Sequence, residues 1–414
     1  MKNLLQKSND WEIQGISLME IKKRFGSPLY IYDSGEIGQQ IEKFKKGFIQ
    51  SDLKIKYACK ALTNLNILRL MRQNGLGLDA VSLPEIRMGL SVGFKPSDII
   101  FTPNCVSFDE VVEGVNLGVR INLENISNLK KFADKYGSSI PVCIRLNPQI
   151  SSQENSDKVS WWHNQSKFGI SIDQIEEIER MVADNRLSVN GIHIHSSSVI
   201  MSTEVFMGAA KTVFNIAKRF NDLEFIDFGG GIKLDVGDGN EVIDIVELGA
   251  TLDKEFKSFC NEYGKRLQLW FEPGRFLVGN AGLLLTTCVL RKRNGGTEFV
   301  GVDSGLNHLI RPMFYDAYHE VINISNLLGK QMKYTVVGNI CEIDNLAKDR
   351  YIEEVCEGDV ILFKSAGAYG YSMASTYNSR FRPAEVLIHN GKANLIRKAD
   401  SYEDLIRNQI EIEL

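Results

Sequence analysis

The feature that most constrains this chain is a regular alternation of short apolar segments with helical patterns between residues 53 and 272. The intervening stretches, such as 66–73, 84–92 and 203–219, carry apolar residues at three- and four-residue spacing and often follow a residue that can cap a helix. Eight strand–helix repeats over about 220–250 residues are typical of a (β/α)8, or TIM, barrel. An open doubly wound sheet is the competing interpretation. The eight predicted strands are residues 53–58, 76–81, 99–102, 119–123, 142–147, 191–195, 225–228 and 267–272.

The pattern changes after about residue 280, where candidate strands follow one another without long helices between them. They cover residues 283–291, 298–303, 334–337, 359–363, 383–388 and 393–397, and Gly- and Asn-rich turns separate them. The early apolar run 28–32 could join this group. We therefore predict an α/β barrel over residues 36–280, and a β-rich barrel or sandwich domain formed by residues 1–35 and 281–414.

Composition excludes several classes of protein. Hydrophobic residues make up 43% of the chain and the net charge is −4, so nothing favours binding to nucleic acid or to an anionic membrane. No segment has the roughly 18 consecutive apolar residues that span a bilayer, and the N-terminus does not resemble a secretory signal. Seven scattered cysteines without a CxxC pair indicate reduced thiols, so we expect a cytoplasmic protein, and we predict no metal site.

Five short segments contain the residue types that cofactor chemistry uses, and four of them end a predicted barrel strand. In a barrel those carboxyl ends form one rim, where active sites are built, so their convergence matters more than any one motif. The five are Tyr57-Ala58-Cys59-Lys60-Ala61, His193-Ile194-His195, Gly229-Gly230-Gly231, Glu272-Pro273-Gly274-Arg275 and Gly367-Ala368-Tyr369-Gly370.

Each of these residues also has an ordinary structural interpretation. Most lysines are simply solvated, but Lys60 directly follows an apolar strand, where an amine can form a Schiff base. The glycine run either serves a tight turn or presents N–H groups to a phosphate. Glu272 could keep the ring nitrogen of a pyridine cofactor protonated. His193 and His195 share a strand face and could bind a metal, but without an evident third ligand a packing or ring-stacking histidine is favoured.

These segments, in this order, resemble the alanine-racemase-type (fold type III) pyridoxal-phosphate decarboxylases, and most closely the diaminopimelate decarboxylases. The similarity runs from about residue 25 to the C-terminus. Besides the five motifs it includes residues 75–82, 166–170, 308–320 and the pair Cys341-Glu342.

The resemblance implies how the cofactor, pyridoxal 5'-phosphate, would be held. Lys60 would bind it covalently, His195 would stack on its ring, and Glu272 would bond its pyridine nitrogen. The remaining implied cofactor residues are Asp79 and Arg145, which orient these groups, and Ser198, Gly231, Gly274, Arg275 and Tyr369 on the phosphate side.

The resemblance also implies the reaction, which is decarboxylation of meso-diaminopimelate to L-lysine in lysine biosynthesis. Cys341 would protonate the substrate carbon after CO2 has left, and Glu342 would bind the distal ammonium. Both would reach the active site of the other subunit, so a homodimer with shared sites is implied. The substrate carboxylates are assigned to Arg275, Arg311 and Tyr315, and Tyr369 is a further implied substrate-binding residue.

Three alternatives remain open on the sequence. The same chemistry could act on another diamino acid, or on a carboxylated polyamine or siderophore precursor. A racemase would normally face the ring nitrogen with arginine, and Glu272 argues against it. A non-catalytic cofactor carrier would be a short single barrel. Departures from the family pattern at Ser197 and at Trp161-Trp162 bear on substrate choice, and the segment after Glu342 is shorter than the common form.

Overall fold

The computed structural model describes residues 3–7, 10–148, 166–195 and 202–414. Within them the chain forms two compact units. We call Ile41–Lys233 with Val242–Phe276 the barrel unit, and Met1–Gln40 with Leu234–Glu241 and Leu277–Leu414 the β-rich unit.

The N-terminal segment begins with a small antiparallel sheet of three strands, β1 (Leu4–Gln6), β2 (Trp11–Ile13) and β3 (Ile16–Ser17). Helix α1 (Leu18–Phe25), strand β4 (Leu29–Asp33) and helix α2 (Ser34–Lys45) follow. The three short strands were not predicted, because segments of two or three residues carry too little periodicity to be recognised.

The barrel unit contains eight parallel strands that close into a ring, which confirms the predicted TIM barrel. Each strand pairs with the next, β13 pairs with β5, and β8 pairs with β9, so the open-sheet alternative is excluded. The strands are β5 (Asp52–Ala58), β6 (Gly77–Ala80), β7 (Ile99–Phe101), β8 (Arg120–Leu123), β9 (Val142–Asn147), β11 (Val189–His193), β12 (Phe225–Asp227) and β13 (Gln268–Phe271), while β10 (Ile170–Ser171) pairs with β9 outside the ring.

Helices follow the barrel strands and begin at the predicted kind of capping residue. Side chains of Asn64, Ser82, Ser107, Asn125 and Asp244 each accept a hydrogen bond from a backbone N–H in the first helical turn. The helices are α3 (Leu65–Gln73), α4 (Leu83–Ser91), α5 (Phe108–Asn116), α6 (Ile126–Tyr136), α7 (Ile175–Ala183), α8 (Thr203–Ala217), α9 (Ile245–Tyr263) and α10 (Arg275–Val278).

Two stacked aromatic rings fill part of the barrel interior, and a buried lysine packs against one of them. The rings of Phe225 and Trp270 stack with centroids 3.7 Å apart, and a Cβ on Gly191 would lie 2.3 Å from the Phe225 ring. Lys56 is buried with Nζ 4.3 Å from the Trp270 centroid, and it donates to the carbonyl of Asp98 at 3.0 Å. An aromatic face and a carbonyl thus partly replace the water this ammonium has lost.

The β-rich unit contains the six strands predicted after residue 280. Two further strands, β16 and β18, were missed, because one spans three residues and the other carries a run of charged residues. The elements are β14 (Gly282–Asn294), β15 (Thr297–Val302), α11 (Arg311–Tyr315), β16 (Val321–Asn323), β17 (Gln331–Val337), β18 (Asn345–Glu353), β19 (Val360–Phe363), β20 (Ala384–His389), β21 (Lys392–Arg397) and α12 (Tyr402–Ile406).

Strand β4 lies in the middle of the main sheet of this unit, whose order is β18-β17-β15-β14-β4-β20-β21. It runs antiparallel to β14 and parallel to β20, so the early run does join the β-rich unit. All seven cysteines lie in the described residues and none is disulfide-bonded. Among the described helices, none is both long and apolar enough to cross a membrane.

The buried Lys56 predicts a pH-dependent stability. Burial lowers its pKa from about 10.5 to about 8, and the nearby Asp98 only partly offsets this. Between these pH values the unfolded chain binds a proton that the folded chain has lost, so stability rises with pH. We expect Lys56 to contribute a gain of up to about 3 kcal/mol between pH 8 and 10.5.

Thermal unfolding of the wild type and of Lys56→Met across this range measures the effect. The wild type should gain stability relative to the variant as pH rises. Lys54→Met, which removes an exposed lysine from the same strand, is the matched control and should follow the wild type. Parallel curves for Lys56→Met and the wild type would contradict the prediction.

Candidate active site

The ends of β5 and β6 bring a lysine and an aspartate together. The residues Cys59–Ala61 form a 3₁₀ turn directly after β5, and Lys60 extends from it with its side chain 36% exposed. Its Nζ lies 3.0 Å from Oδ2 of Asp79, which is buried on the neighbouring strand. Lys60 is therefore an accessible amine held by a buried carboxylate, at the rim where the sequence predicted it.

A second carboxylate, Glu272, is buried at the end of β13. Its backbone N–H donates to the carbonyl of Gly229 at 2.7 Å, and its Oε2 lies 3.1 Å from Nε2 of His193. The side chain is nearly inaccessible, yet Oε1 accepts no hydrogen bond within the described part of the chain. Such an acceptor is costly to bury, so this oxygen is suited to a bound group that carries an N–H.

Three buried carboxyl groups lie at this rim, those of Glu272, Asp227 and Asp79, and their pKa values are shifted in different directions. Burial would raise the pKa of Glu272, but the imidazole of His193, its hydrogen bond and then Lys60 together lower it to about 2. Burial first, and then the charge of Glu272, raises the pKa of Asp227 well above its usual value. The same two causes raise the pKa of Asp79, although Lys60 opposes them. Glu272 thus holds the negative charge most firmly.

His195 and the glycine turn after β12 are locked together. The N–H of Gly230 donates to Nδ1 of His195 at 3.0 Å, which makes this nitrogen an acceptor. Burial, and then Arg145 and Lys60, lower the pKa of His195 well below its usual value, so the ring is neutral. A neutral flat ring at the rim is suited to stacking on another aromatic ring.

Not all three glycine N–H groups of this turn are left to bind a phosphate. Gly229 donates to Oδ1 of Asp227 at 2.8 Å and Gly230 donates to His195, so two amides serve the protein itself. Gly229 and Gly231 have φ values of +63° and +96°, which favour glycine. A Cβ on Gly229 would also lie 2.5 Å from Nδ1 of His195. The turn thus depends on glycine, with Gly231 the remaining candidate for phosphate binding.

The histidine pair has the third neighbour that the sequence did not show. Ligand atoms of His193, His195 and Glu272 lie within 4.8 Å of one another, so a metal ion could be considered. Structural zinc sites usually have four ligands, and here His193 and Glu272 already bond each other while His195 accepts from Gly230. These contacts are more suitable for an aromatic cofactor than for a metal ion.

Three other predicted residues, Gly274, Arg275 and Arg145, belong to the barrel unit. A Cβ on Gly274 would lie only 2.9 Å from Cβ of Ala61. Because glycine has no Cβ, the segment after β13 can pack on the turn that carries Lys60. Arg275 follows as the first residue of α10. Arg145 lies 3.3 Å from Oε2 of Glu124 and 4.8 Å from the Phe168 ring centroid.

The β-rich unit holds the other predicted residues in two groups. Arg311 begins α11 and lies 5.4 Å from the ring centroid of Tyr315 and 5.7 Å from that of Tyr369. Cys341 and Glu342 are exposed and adjacent. The predicted residue Ser198, and the departures at Ser197 and Trp161-Trp162, lie outside the described residues.

Sequence reasoning missed several residues that the structure brings to these places. Asp227 shares the glycine turn, and an acid ending an apolar strand before three glycines was an available signal. Glu124 contacts Arg145 from a neighbouring strand, so only the sheet register reveals it. Tyr377 and Asn378 contact Cys341 and Glu342 from 35 or more positions away, which no local pattern predicts.

Comparison with known proteins agrees with this geometry. A model of the family described as "Pyridoxal-dependent decarboxylase, pyridoxal binding domain" matches residues 34–279. The chain belongs to this family. It is 37% identical to the diaminopimelate decarboxylase of Methanothermobacter thermautotrophicus over 96% of this chain and 95% of that protein. The corresponding protein of Bacillus subtilis is 32% identical over 96% and 94%.

Solved structures show the same relationship. A diaminopimelate decarboxylase from M. jannaschii, in complex with L-lysine, superposes with a TM-score of 0.91 at 27% identity. The match covers 99% of this chain and 98% of that chain. The likeness therefore covers the β-rich unit as well as the barrel.

The residues of this pyridoxal-dependent decarboxylase fit its cofactor. The buried Oε1 of Glu272 accepts no hydrogen bond within the described residues, and an N–H on a pyridine ring would satisfy it. Lys60 supplies an amine and His195 a neutral ring, and the glycine turn lets the backbone approach His195 closely enough to hold that ring in place.

Gly229→Ala tests whether this turn holds the cofactor. The new Cβ meets His195 and the backbone is strained at positive φ, which together cost on the order of 1–3 kcal/mol. We expect pyridoxal phosphate to bind at least about tenfold more weakly, measured by absorbance titration.

Gly239→Ala is the control for strain alone. Its φ is +75°, and nothing lies within 4 Å of the added Cβ. This variant should bind the cofactor like the wild type. If the wild type and both variants bound pyridoxal phosphate with equal affinity, the glycine turn would not be part of the cofactor site.

Proposed function

We propose that this chain decarboxylates meso-diaminopimelate to L-lysine and CO2, using pyridoxal phosphate bound at the barrel rim. The observation that carries the reaction type is the buried Glu272 carboxylate, kept ionised beside His193 and close to the amine-bearing Lys60 turn. Family membership and full-length relatives named diaminopimelate decarboxylase support the substrate.

The barrel residues divide the chemical work. Bound pyridoxal phosphate supplies an aldehyde for the substrate amine and a ring that accepts the electrons released when CO2 leaves. Lys60 would hold the cofactor through its amine, and Asp79, whose Oδ2 lies 3.0 Å from Nζ of Lys60, would orient that amine. Glu272 would keep a proton on the ring nitrogen, and His195 would hold the ring by stacking.

We also propose substrate-binding and proton-donating roles for residues of the β-rich unit. Arg311 is a guanidinium flanked by the rings of Tyr315 and Tyr369, a setting in which it can grip a carboxylate with two hydrogen bonds. Glu342 is a carboxylate of the right charge for the distal ammonium. Cys341, next to it, is the proposed acid that returns a proton to the carbon that lost CO2.

We further propose that the protein is a homodimer in which Cys341 and Glu342 complete the partner's active site. Both residues are exposed here, although catalysis needs them shielded from water. Large apolar side chains around them and near Arg311 are also exposed: Phe314 at 64%, Tyr315 at 49%, Ile343 at 77% and Tyr377 at 43%. Exposed apolar groups of this size are typical of protein interfaces. Seven free thiols support a cytoplasmic location.

A substrate panel tests the proposed reaction. We expect CO2 release from meso-diaminopimelate with kcat/KM at least about tenfold above that for ornithine or lysine, because only diaminopimelate has a second carboxylate. Arg311→Met should remove a charge-assisted bond worth about 1.5–3 kcal/mol and abolish most of this preference.

The Lys60→Ala variant sets the background for that panel. It lacks the amine that binds the cofactor and should release no CO2 from any substrate. If the wild type released CO2 faster from ornithine, lysine or a carboxylated polyamine than from meso-diaminopimelate, the proposed substrate would be wrong.

Mixing two inactive variants tests the shared site. Lys60→Ala lacks the barrel amine and Cys341→Ala lacks the proposed acid, so each homodimer should be nearly inactive. Randomly mixed dimers contain one intact site in half of the population, which predicts about a quarter of wild-type activity. No recovery, although mass spectrometry shows mixed dimers, would contradict shared sites.

A further inference from the structure

One side chain, Asn378, holds Cys341 by two hydrogen bonds. The backbone N–H of Cys341 donates to Oδ1 of Asn378 at 2.8 Å, and Nδ2 of Asn378 donates to Sγ of Cys341 at 3.1 Å. A carboxamide carries an acceptor and a donor on one rigid plane, so it can bind both atoms together. The direction of the thiol is thereby fixed relative to its own backbone.

The backbone at Asn378 is itself suited to asparagine. Its φ is +56° and its ψ is 24°, within the turn Tyr377–Ser379, and asparagine tolerates this left-handed region better than most residues. Arg380 donates to the carbonyl of Asn339 at 3.1 Å, which ties the turn to the segment before Cys341. Sequence and backbone therefore agree on the geometry of the contact.

The neighbouring carboxylate is held from the same turn. The hydroxyl of Tyr377 donates to Oε1 of Glu342 at 2.9 Å and lies 3.7 Å from Sγ of Cys341. Beyond Glu342, the carboxylate of Asp344 accepts from the N–H of Leu306 at 2.7 Å and anchors the segment. Both proposed functional groups are thus oriented within one subunit, although they are exposed there.

We propose that Asn378 is a positioning residue that orients the thiol of Cys341 for proton transfer, with Tyr377 doing the same for Glu342. The inference rests on the proposed function, because it takes Cys341 as the acid. The hydrogen bond from Asn378, and then the contact with the Tyr377 hydroxyl, lower the pKa of the Cys341 thiol, although burial and Glu342 act in the opposite direction. A thiol closer to neutral pKa transfers its proton more effectively at physiological pH.

Asn378→Asp separates the two hydrogen bonds. Aspartate keeps an oxygen for the N–H of Cys341 and tolerates the left-handed backbone, but it replaces the donor to sulfur with a negative oxygen. We expect the apparent pKa for alkylation of Cys341 by iodoacetamide to rise. Alkylation at neutral pH should slow about three- to tenfold, since each unit of pKa changes the thiolate population about tenfold.

The alkylation is measured on the full-length protein without substrate, across a pH series, with the modified peptide identified by mass spectrometry. Cys105 and Cys356 are also exposed, so both are replaced by serine in the parent. Asn390→Asp is the matched control, because Asn390 is also exposed and left-handed, at φ +51°, but lies in the β20–β21 turn. It should leave the alkylation profile unchanged.

Turnover gives a second measurement. Asn378→Asp should lower kcat more than it raises KM and shift the pH profile of kcat, whereas Tyr377→Phe should mainly raise KM by releasing Glu342. If Asn378→Asp does not fold, Asn378→Gly permits the same backbone and removes both bonds, with the same expected shift in alkylation.

Identical alkylation profiles for the parent and the folded Asn378 variant would overturn the positioning role. The two proposals fail separately, because alkylation needs no turnover. If the parent releases no CO2 from diaminopimelate, but the alkylation of its Cys341 thiol still changes in Asn378→Asp, the proposed function would be wrong. The conclusion that Asn378 orients the thiol would then still hold.

Discussion

The site in the barrel depends on one constraint, the closure of eight parallel strands between β13 and β5. Closure makes these two strands neighbours, although more than 200 residues separate Lys54 from its partner Trp270. Because all the strands run the same way, the residues that follow them meet at one rim. Lys60 and Glu272 therefore become part of one site through hydrogen bonding of the backbone, before any direct contact between side chains.

The residues around the rim decide which of its buried carboxyl groups is ionised. Three buried carboxyl groups cannot all carry charge in a poorly solvated place, so their pKa values move apart. His193 and Lys60 favour the ionised form of Glu272, while Asp227 and Asp79 titrate higher. The protein thus concentrates negative charge on the oxygen pair that would face the cofactor ring. Glycines at 229, 230 and 274 complete the arrangement by letting backbone and side chains approach where a Cβ would collide.

Much of the fold could be predicted because its elements are encoded locally. All eight barrel strands and six of the later strands follow from apolar runs bounded by turn residues, with errors of up to three positions at their ends. Strand β11 illustrates those errors: it ends at His193, so His195 lies beyond it and can bond the glycine turn. Two of the three glycine amides satisfy Asp227 and His195, which leaves Gly231, the glycine that the resemblance implies, as the candidate for the phosphate. That competition depends on atoms from two strands and is invisible in a single segment.

The sequence by itself determined the alternation of strands and helices, the residues that follow the strands and the resemblance to pyridoxal-dependent decarboxylases, because apolar periodicity and short motifs are local properties of the chain. It left the choice between a closed barrel and an open sheet to the strand pairings. Only the tertiary structure decided which partner each group received. It paired His193 with Glu272, Asp79 with Lys60, and Asn378 with Cys341. These pairings set charge and orientation, and they arise from strand register and turn geometry. They join residues 19 to 79 positions apart, a range over which sequence patterns carry no information about contact.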